Sequence, residues 1–344
     1  MEAKQNKSLD KQTVANTTRT GPESFQGAAN QEYEFVDVSK KQTSKSSFTR
    51  KIKVLIISYF DYGLPQIGDI LTRHGDVFYL NEPLYPFDSA SLKDGEEPIS
   101  RRYIAEAMDY LTELFDCKIF DSKFGYSDDI LKRTTRHAYS ACNKNQRNVT
   151  DCVEAFCMSK KIVMSKIIRV YLQDLQSFIM RNRGKVKVLI IQRDPRINLH
   201  QHNKKFHPGW TTASDMFFQG RGLCSRMLHD VQTAKRLEGS GNSNFYRVVL
   251  YEHFLKSPEV MIKNILSFIG VEEGSEKVKK MLRNSNAQKD IRKAKLSKWD
   301  SIPDDDAALS VDKACAFFYK NSLYNPMKLS MGFVQRYNLC QYCD

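Results

Sequence analysis

KIKVLIISYFDYGLPQIGDILTRHGDVFYLNEPLYPF, residues 51–87, is where the fold class is decided. Val54 to Tyr59 is an apolar run bounded by lysines, the pattern of a buried parallel strand. A turn with Gly63, Pro65 and Gly68 follows, and then Ile67, Ile70 and Leu71 at the spacing of one helix face. Val77 to Leu80 reads as the next strand. Strand, glycine turn, helix and strand place a helix N-terminus beyond a strand end. Free backbone N–H groups and the helix dipole favour a phosphate at such a place. Gly63 and Gly68 have phosphate-loop spacing, but Asp69-Ile70 follow in place of Lys-Ser/Thr. The turn therefore reads either as an altered phosphate loop or as an ordinary tight turn.

Further along, the same alternation recurs. Ile104, Met108, Leu111 and Leu114 predict a helix over 102–116. Residues 117–160 are polar, hold four cysteines and lack periodicity, and read as an irregular, disulfide-tied excursion. Lys166 to Val170 reads as a short strand, with a helix from Leu172 that Gly184 stops. Val186 to Ile191 is the second strong buried strand, and Gln192-Arg193-Asp194-Pro195-Arg196 follows it. An arginine just past a strand end, beside a helix-starting proline, sits where open α/β sheets bind ligands. Its forked guanidinium suits a phosphate; a surface ion pair is the other reading of Arg193. His200, His202 and His207 lie in a basic, solvated loop on this reading, with no carboxylate or cysteine at metal-site spacing. An amphipathic helix over 214–238, a strand from Tyr246 to Tyr251, a helix closed by Gly270 and a last helix over 307–319 complete the pattern. Between the last two, residues 276–298 are strongly basic, either a solvated face or an anion-facing rim. Strands that alternate with helices predict an α/β class with a parallel sheet.

The 344 residues carry a formal net charge of +13, which points to an anionic partner. No zinc-finger or RNA-recognition signature supports nucleic acid. No run of 18 apolar residues and no signal-peptide core is visible. Residues 1–50, rich in Lys, Gln, Ser, Thr and Asn, predict a disordered arm or stem, with order from Lys51 to residue 344. The 8 cysteines permit full pairing, and Asn6, Asn16 and Asn148 begin N-x-Ser/Thr sequons. Both features hint at a secretory lumen. Cys340-x-x-Cys343 reads as a disulfide, a redox pair or half a zinc site.

Five blocks carry a family resemblance: DVFYLNEPLY (76–85), KIIRVYLQDLQ (166–176), VLIIQRDPR (188–196), LCSRMLHDVQTA (223–234) and YRVVLYEHFLKSPEVMIKNILSFIGV (246–271). In this order they resemble the Golgi carbohydrate sulfotransferases, closest to the group that acts on 6-hydroxyls of galactose, GalNAc or GlcNAc. The resemblance implies a single P-loop-like, three-layer α/β domain over 51–344, with a mainly parallel sheet flanked by helices. It implies sulfuryl transfer from 3′-phosphoadenosine 5′-phosphosulfate (PAPS), a co-substrate, to a glycan or proteoglycan hydroxyl in the Golgi lumen, without a metal. It assigns Glu82 as the base for the sugar hydroxyl and Arg193 to the 3′-phosphate. Gln201 stands where the family has a serine, and the turn holding Gly63 and Gly68 is the 5′-phosphosulfate cradle.

The cradle departs from the family pattern. Asp61, Leu64 and Pro65 replace an arginine and two serines, which reverses one charge and removes a backbone donor. A sulfotransferase-fold protein that binds nucleotide or anionic glycan without transfer is the alternative.

Overall fold

The computed structural model describes residues 51–59, 65–87, 99–119, 128–144, 148–207, 209–210, 212–242, 244–285, 291 and 306–322. The expected arm over 1–50, Asp61 to Leu64 of the glycine turn and Cys340/Cys343 lie outside them. The strands are β1 (Ile52–Ile57), β2 (Val77–Asn81), β3 (Ile162–Ile167), β4 (Val186–Gln192) and β5 (Tyr246–Leu250). They form one parallel sheet in the order β2-β3-β1-β4-β5.

Helices α1 (Pro65–Leu71), α2 (Ile104–Phe115), α3 (Asp128–Thr134), α4 (Arg136–Asn143) and α5 (Val149–Met158) precede β3. After it come α6 (Gln176–Arg181), α7 (Pro195–Phe206), α8 (Ala213–Gly239), α9 (Tyr251–Lys256), α10 (Pro258–Phe268) and α11 (Ser275–Asn284). Two short helices, Asp306–Ala314 and Ala316–Tyr319, end the described chain.

Both faces of the sheet are covered, so strand residues are apolar on both sides. Leu55, Ile57, Phe78, Leu80, Val188 and Ile190 pack with Leu111 and Leu114 of α2 and Met227 of α8. Val54, Ile56, Val77, Met164, Leu189 and Ile191 pack with Ile67 and Ile70 of α1 and Ile262 and Ile265 of α10. This is the expected three-layer α/β fold. Full burial of each Val, Leu or Ile contributes roughly 1.5–3 kcal/mol, which fixes the sheet as the rigid part of the molecule.

Three expectations are corrected. Among the described residues of 117–160 the chain is helical where it was read as irregular, in α3, α4 and α5, while the expected disulfide ties are present as Cys117–Cys157 and Cys142–Cys152. The apolar faces of these helices are short, and those of α4 and α5 are partly built of cysteine, which periodicity does not register. The strand read at 166–170 is β3 at Ile162–Ile167; its run is broken by Ser165 and Lys166, both buried. His200 and His202 belong to α7, with His202 buried, because Asp194 caps that helix by accepting the N–H of Arg196 at 2.9 Å and Pro195 begins it.

Candidate active site

All five strands point their carboxyl ends at one edge of the sheet, and the segments leaving that edge carry the candidate side chains. Glu82 is the first residue after β2. Its φ of +48° is in the left-handed region, which costs a non-glycine residue about 1–2 kcal/mol. Strong partners offset that cost. Lys166, near the end of the neighbouring β3, donates from Nζ to Glu82 Oε1 at 2.9 Å; the two side chains are 1% and 5% exposed. The register that sets Asn81 opposite Lys166 brings them together. Arg169 and Arg133 each place a guanidinium nitrogen 3.7 Å from the other oxygen, Oε2. One carboxylate thus faces three cations.

Across the edge, Arg193 is the first residue after β4. It is buried, its guanidinium lies 5.1 Å from the centre of the Tyr251 ring, and its Nη1 donates to Gln201 Oε1 at 2.9 Å. Arg193 is thus a buried residue of this edge and not a surface one. The structure joins Arg193 and Gln201, one turn of α7 and more apart in sequence, into one polar pair. Gly63 lies outside the described residues. Gly68 falls inside α1, where a Cβ would meet the Tyr79 ring and hydroxyl at 2.4 Å. Its bare backbone has a packing reason: α1 lies against β2 with no room for a side chain.

Two buried networks hold this edge in place. On α8, Arg226 donates to the carbonyls of Ile168 at 2.6 Å and Val170 at 3.1 Å. One turn later, Asp230 accepts from the Tyr59 hydroxyl at 3.0 Å and the Leu172 N–H at 2.8 Å. The chain leaving β1 and the chain leaving β3 are thus fastened to the same helix. Burial pushes the Asp230 carboxyl up, against the pull of Arg226 and its hydrogen bonds. Burial, with Asp230 beside it, also drives the Tyr59 phenol well above its ordinary range.

The second network links Asp194, Arg196, Asp312 and Tyr319. Arg196 Nη2 donates to Asp194 Oδ2 at 2.6 Å and Nη1 to Asp312 Oδ1 at 3.1 Å, and the Tyr319 hydroxyl donates to Asp312 Oδ1 at 2.9 Å. Burial alone would disfavour the Arg196 cation, but Asp194 and Asp312 reverse that and raise its pKa. Beside this network Cys224–Cys315 ties α8 to the last helices.

The expected base, Glu82, and the expected phosphate arginine, Arg193, thus stand on one edge. Sequence reasoning missed Lys166, Arg169, Arg133, Arg226 and Asp230. For Arg226 and Asp230 a signal existed: a cation and an acid four apart on one face of the helix predicted over LCSRMLHDVQTA. Among the described residues no group of His, Cys, Asp and Glu could hold a metal ion.

The sulfotransferase domain family matches residues 136–325, more than half of the chain. The chain belongs to that family. Lys166, Arg169, Arg193 and Gln201 fall within the matched stretch; Glu82 and the glycine turn precede it. Among characterised sulfotransferases, the chain is similar to carbohydrate sulfotransferase 1 of Mus musculus, 23% identical over 299 residues that cover 74% of this chain and 72% of that one. With carbohydrate sulfotransferase 1 of Homo sapiens it is 23% identical over 297 residues, 72% of this chain and 71% of that one. Among solved structures it is similar to the mouse sulfotransferase SULT7A1 complexed with PAP, at 15% identity and a TM-score of 0.44 over 80% of this chain and 85% of that one. These findings agree with the family read from the five sequence blocks.

Proposed function

We propose that this sulfotransferase transfers a sulfuryl group from PAPS to a carbohydrate hydroxyl, the 6-hydroxyl of galactose, GlcNAc or GalNAc. The carrying observation is the Glu82–Lys166 pair, a buried carboxylate held by a lysine at the binding edge of the sheet. The names of the similar proteins support the carbohydrate acceptor.

The residues present suit the donor. A buried guanidinium and the Gln201 amide form a donor set for a phosphate, with the start of α7 beside them. Gln201 uses its carbonyl on Arg193, which leaves its NH2 as a donor. PAPS supplies the activated sulfuryl group when bound. Sulfuryl transfer is an in-line displacement like phosphoryl transfer, so the protein positions groups and balances charge. Glu82 takes the proton from the acceptor hydroxyl as the hydroxyl oxygen becomes nucleophilic. Lys166 anchors Oε1 and orients the carboxylate, so Oε2 is the oxygen that meets the hydroxyl. Arg193 and Gln201 hold the 3′-phosphate and fix the register of the donor. By the family resemblance the turn with Gly63 and Gly68 serves the 5′-phosphosulfate, and Asp61, Leu64 and Pro65 make it a weaker cradle than the family's arginine and serines. The three disulfides among the described residues suit an oxidising lumen, in line with a Golgi site of action. Among the described residues no helix is long and apolar enough to cross a membrane.

The test is calorimetric titration with adenosine 3′,5′-bisphosphate, followed by labelled PAPS with a panel of oligosaccharides. We expect micromolar nucleotide binding that Arg193→Ala weakens, and label in a 6-hydroxyl product. Well-folded protein that binds no nucleotide would overturn the donor assignment. Binding without transfer to any sugar would overturn the enzyme and leave a binding protein.

A further inference from the structure

Asn148-Val149-Thr150 is an N-x-Thr sequon, and of the three sequons in the chain, at Asn6, Asn16 and Asn148, it is the one that lies among the described residues. It takes no part in the sulfuryl transfer proposed above. Asn148 is exposed and stands immediately before α5 as its N-cap. Its Oδ1 accepts the N–H of Asp151 at 3.4 Å, and its Nδ2 donates to Asp151 Oδ2 at 2.8 Å. An asparagine amide nitrogen carries two hydrogens. Asp151 engages one, and the other can be replaced by a substituent. A sugar on Nδ2 therefore leaves the cap intact: the oxygen still holds the start of α5, and the remaining N–H still reaches Asp151.

The surroundings give such a sugar room. Asn148, Asp151, Ala155 and Met158 follow at helical spacing and are all exposed, so they make the solvent face of α5. Val153 and Cys157, on the other face, are buried in the core. Asn148 is at the head of the solvent face, where a bulky polar group meets water and not protein. The covalent ties around it speak for the compartment. Cys142–Cys152 closes a loop that contains the sequon, and Cys117–Cys157 closes a wider loop around both. Disulfides belong to an oxidising compartment, and the secretory lumen is the one in which asparagine is glycosylated. Sequon, exposed amide and disulfide frame are separate observations that point the same way.

We propose that Asn148 carries an N-linked oligosaccharide, delivered from a lipid-linked oligosaccharide pyrophosphate. The Asn148 nitrogen bonds to the anomeric carbon of the first sugar, and the bond from that carbon to the pyrophosphate oxygen breaks. The lipid pyrophosphate leaves with the electron pair, and the amide nitrogen gives up one proton. The proposal stands on the sequon, the amide geometry and the disulfides, and does not depend on sulfuryl transfer by this protein.

The experiment expresses the full chain in eukaryotic cells and isolates the disulfide-bonded protein. After reduction and alkylation, trypsin releases residues 148–160, between Arg147 and the bond after Lys160, as a peptide that holds this sequon alone. An amidase that removes N-glycans in heavy-oxygen water converts a glycosylated Asn148 to an aspartate marked with one heavy oxygen, and an unmodified Asn148 stays asparagine. We expect the mark in wild type and its loss in Thr150→Ala, which keeps Asn148 and its cap. Asn148→Ser, which keeps a good N-cap residue, should lose one step of the gel shift that the amidase produces. An unmarked peptide 148–160 from wild type overturns the proposal, whatever the variants do. So does a mark that survives in Thr150→Ala, or a gel shift equal in wild type and Asn148→Ser.

Discussion

Glu82 and Glu252 invite comparison. Both are buried, and both leave the carboxyl edge of the sheet, Glu82 one residue after β2 and Glu252 two after β5. Their surroundings differ. Glu252 accepts the N–H of Asp194 at 2.9 Å and so fixes the turn from β4 into α7. Glu82 faces Lys166, Arg169 and Arg133, and its Oε2 has two cations at ion-pair distance without a short hydrogen bond. Glu252 takes part in a backbone joint. Glu82 is the one proposed to receive a proton. Both are buried close to a strand end, so burial at the edge alone singles out neither as a base; the proposal of Glu82 rests on its partners.

The sharpest way to break this comparison is an isosteric change at each site. Glu82→Gln should lower the turnover of labelled PAPS by about a hundred- to ten-thousandfold, the scale of a lost general base, with binding of adenosine 3′,5′-bisphosphate retained. Glu252→Gln should leave turnover far closer to wild type; equal loss in both variants would abolish the distinction. Next in size is the network behind the Glu252 joint. Asp312→Ala strips one carboxylate from buried Arg196 and the acceptor from the Tyr319 hydroxyl. It should cost about 3 kcal/mol in urea unfolding, the lower end of the range for a broken buried pair. Glu252→Ala should cost less, about 1–3 kcal/mol in the same assay, because it leaves one buried N–H without its acceptor.

The smallest effect belongs to the neighbour of Glu252. Burial, with Lys256 nearby, lowers the pKa of His253 below its ordinary 6.5. Between 6.5 and the lowered value the unfolded chain binds more protons than the folded one, so stability falls as the pH drops through that window. His253→Gln should flatten that part of the stability profile, followed by thermal unfolding at a series of pH values. An unchanged slope would show that His253 titrates alike in both states.

The two glutamates also show what sequence reading can and cannot reach. Glu82 was legible because it follows an apolar run and precedes a proline, within a block that resembles a known family. Lys166 was not legible as part of the site. Burying a lysine inside a strand looks like a strand boundary to any apolar count, and only the carboxylate arriving from β2 makes the burial affordable in free energy. Arg133 was hidden for another reason. It lies on α3, in the stretch read as irregular because α3, α4 and α5 are short and the apolar faces of α4 and α5 are partly built of cysteine. Strands were read to within a residue or two where the run is mainly aliphatic, as in β1 and β4. β3 was displaced where polar side chains entered its run.

Gly68 has a mechanical consequence. Because α1 and Tyr79 touch with no side chain between them, α1 packs directly on the strand that leads to Glu82. The Tyr79 hydroxyl in turn reaches Asn81 Oδ1 at 3.5 Å, next to Glu82, so the linkage continues to the last residue of the strand. An in-line reaction tolerates little play between nucleophile and leaving group. A glycine read as part of a phosphate loop thus also has a packing role, and on the proposed reading Gly68→Ala, by displacing the Tyr79 ring, would disturb the alignment of donor and base without touching either.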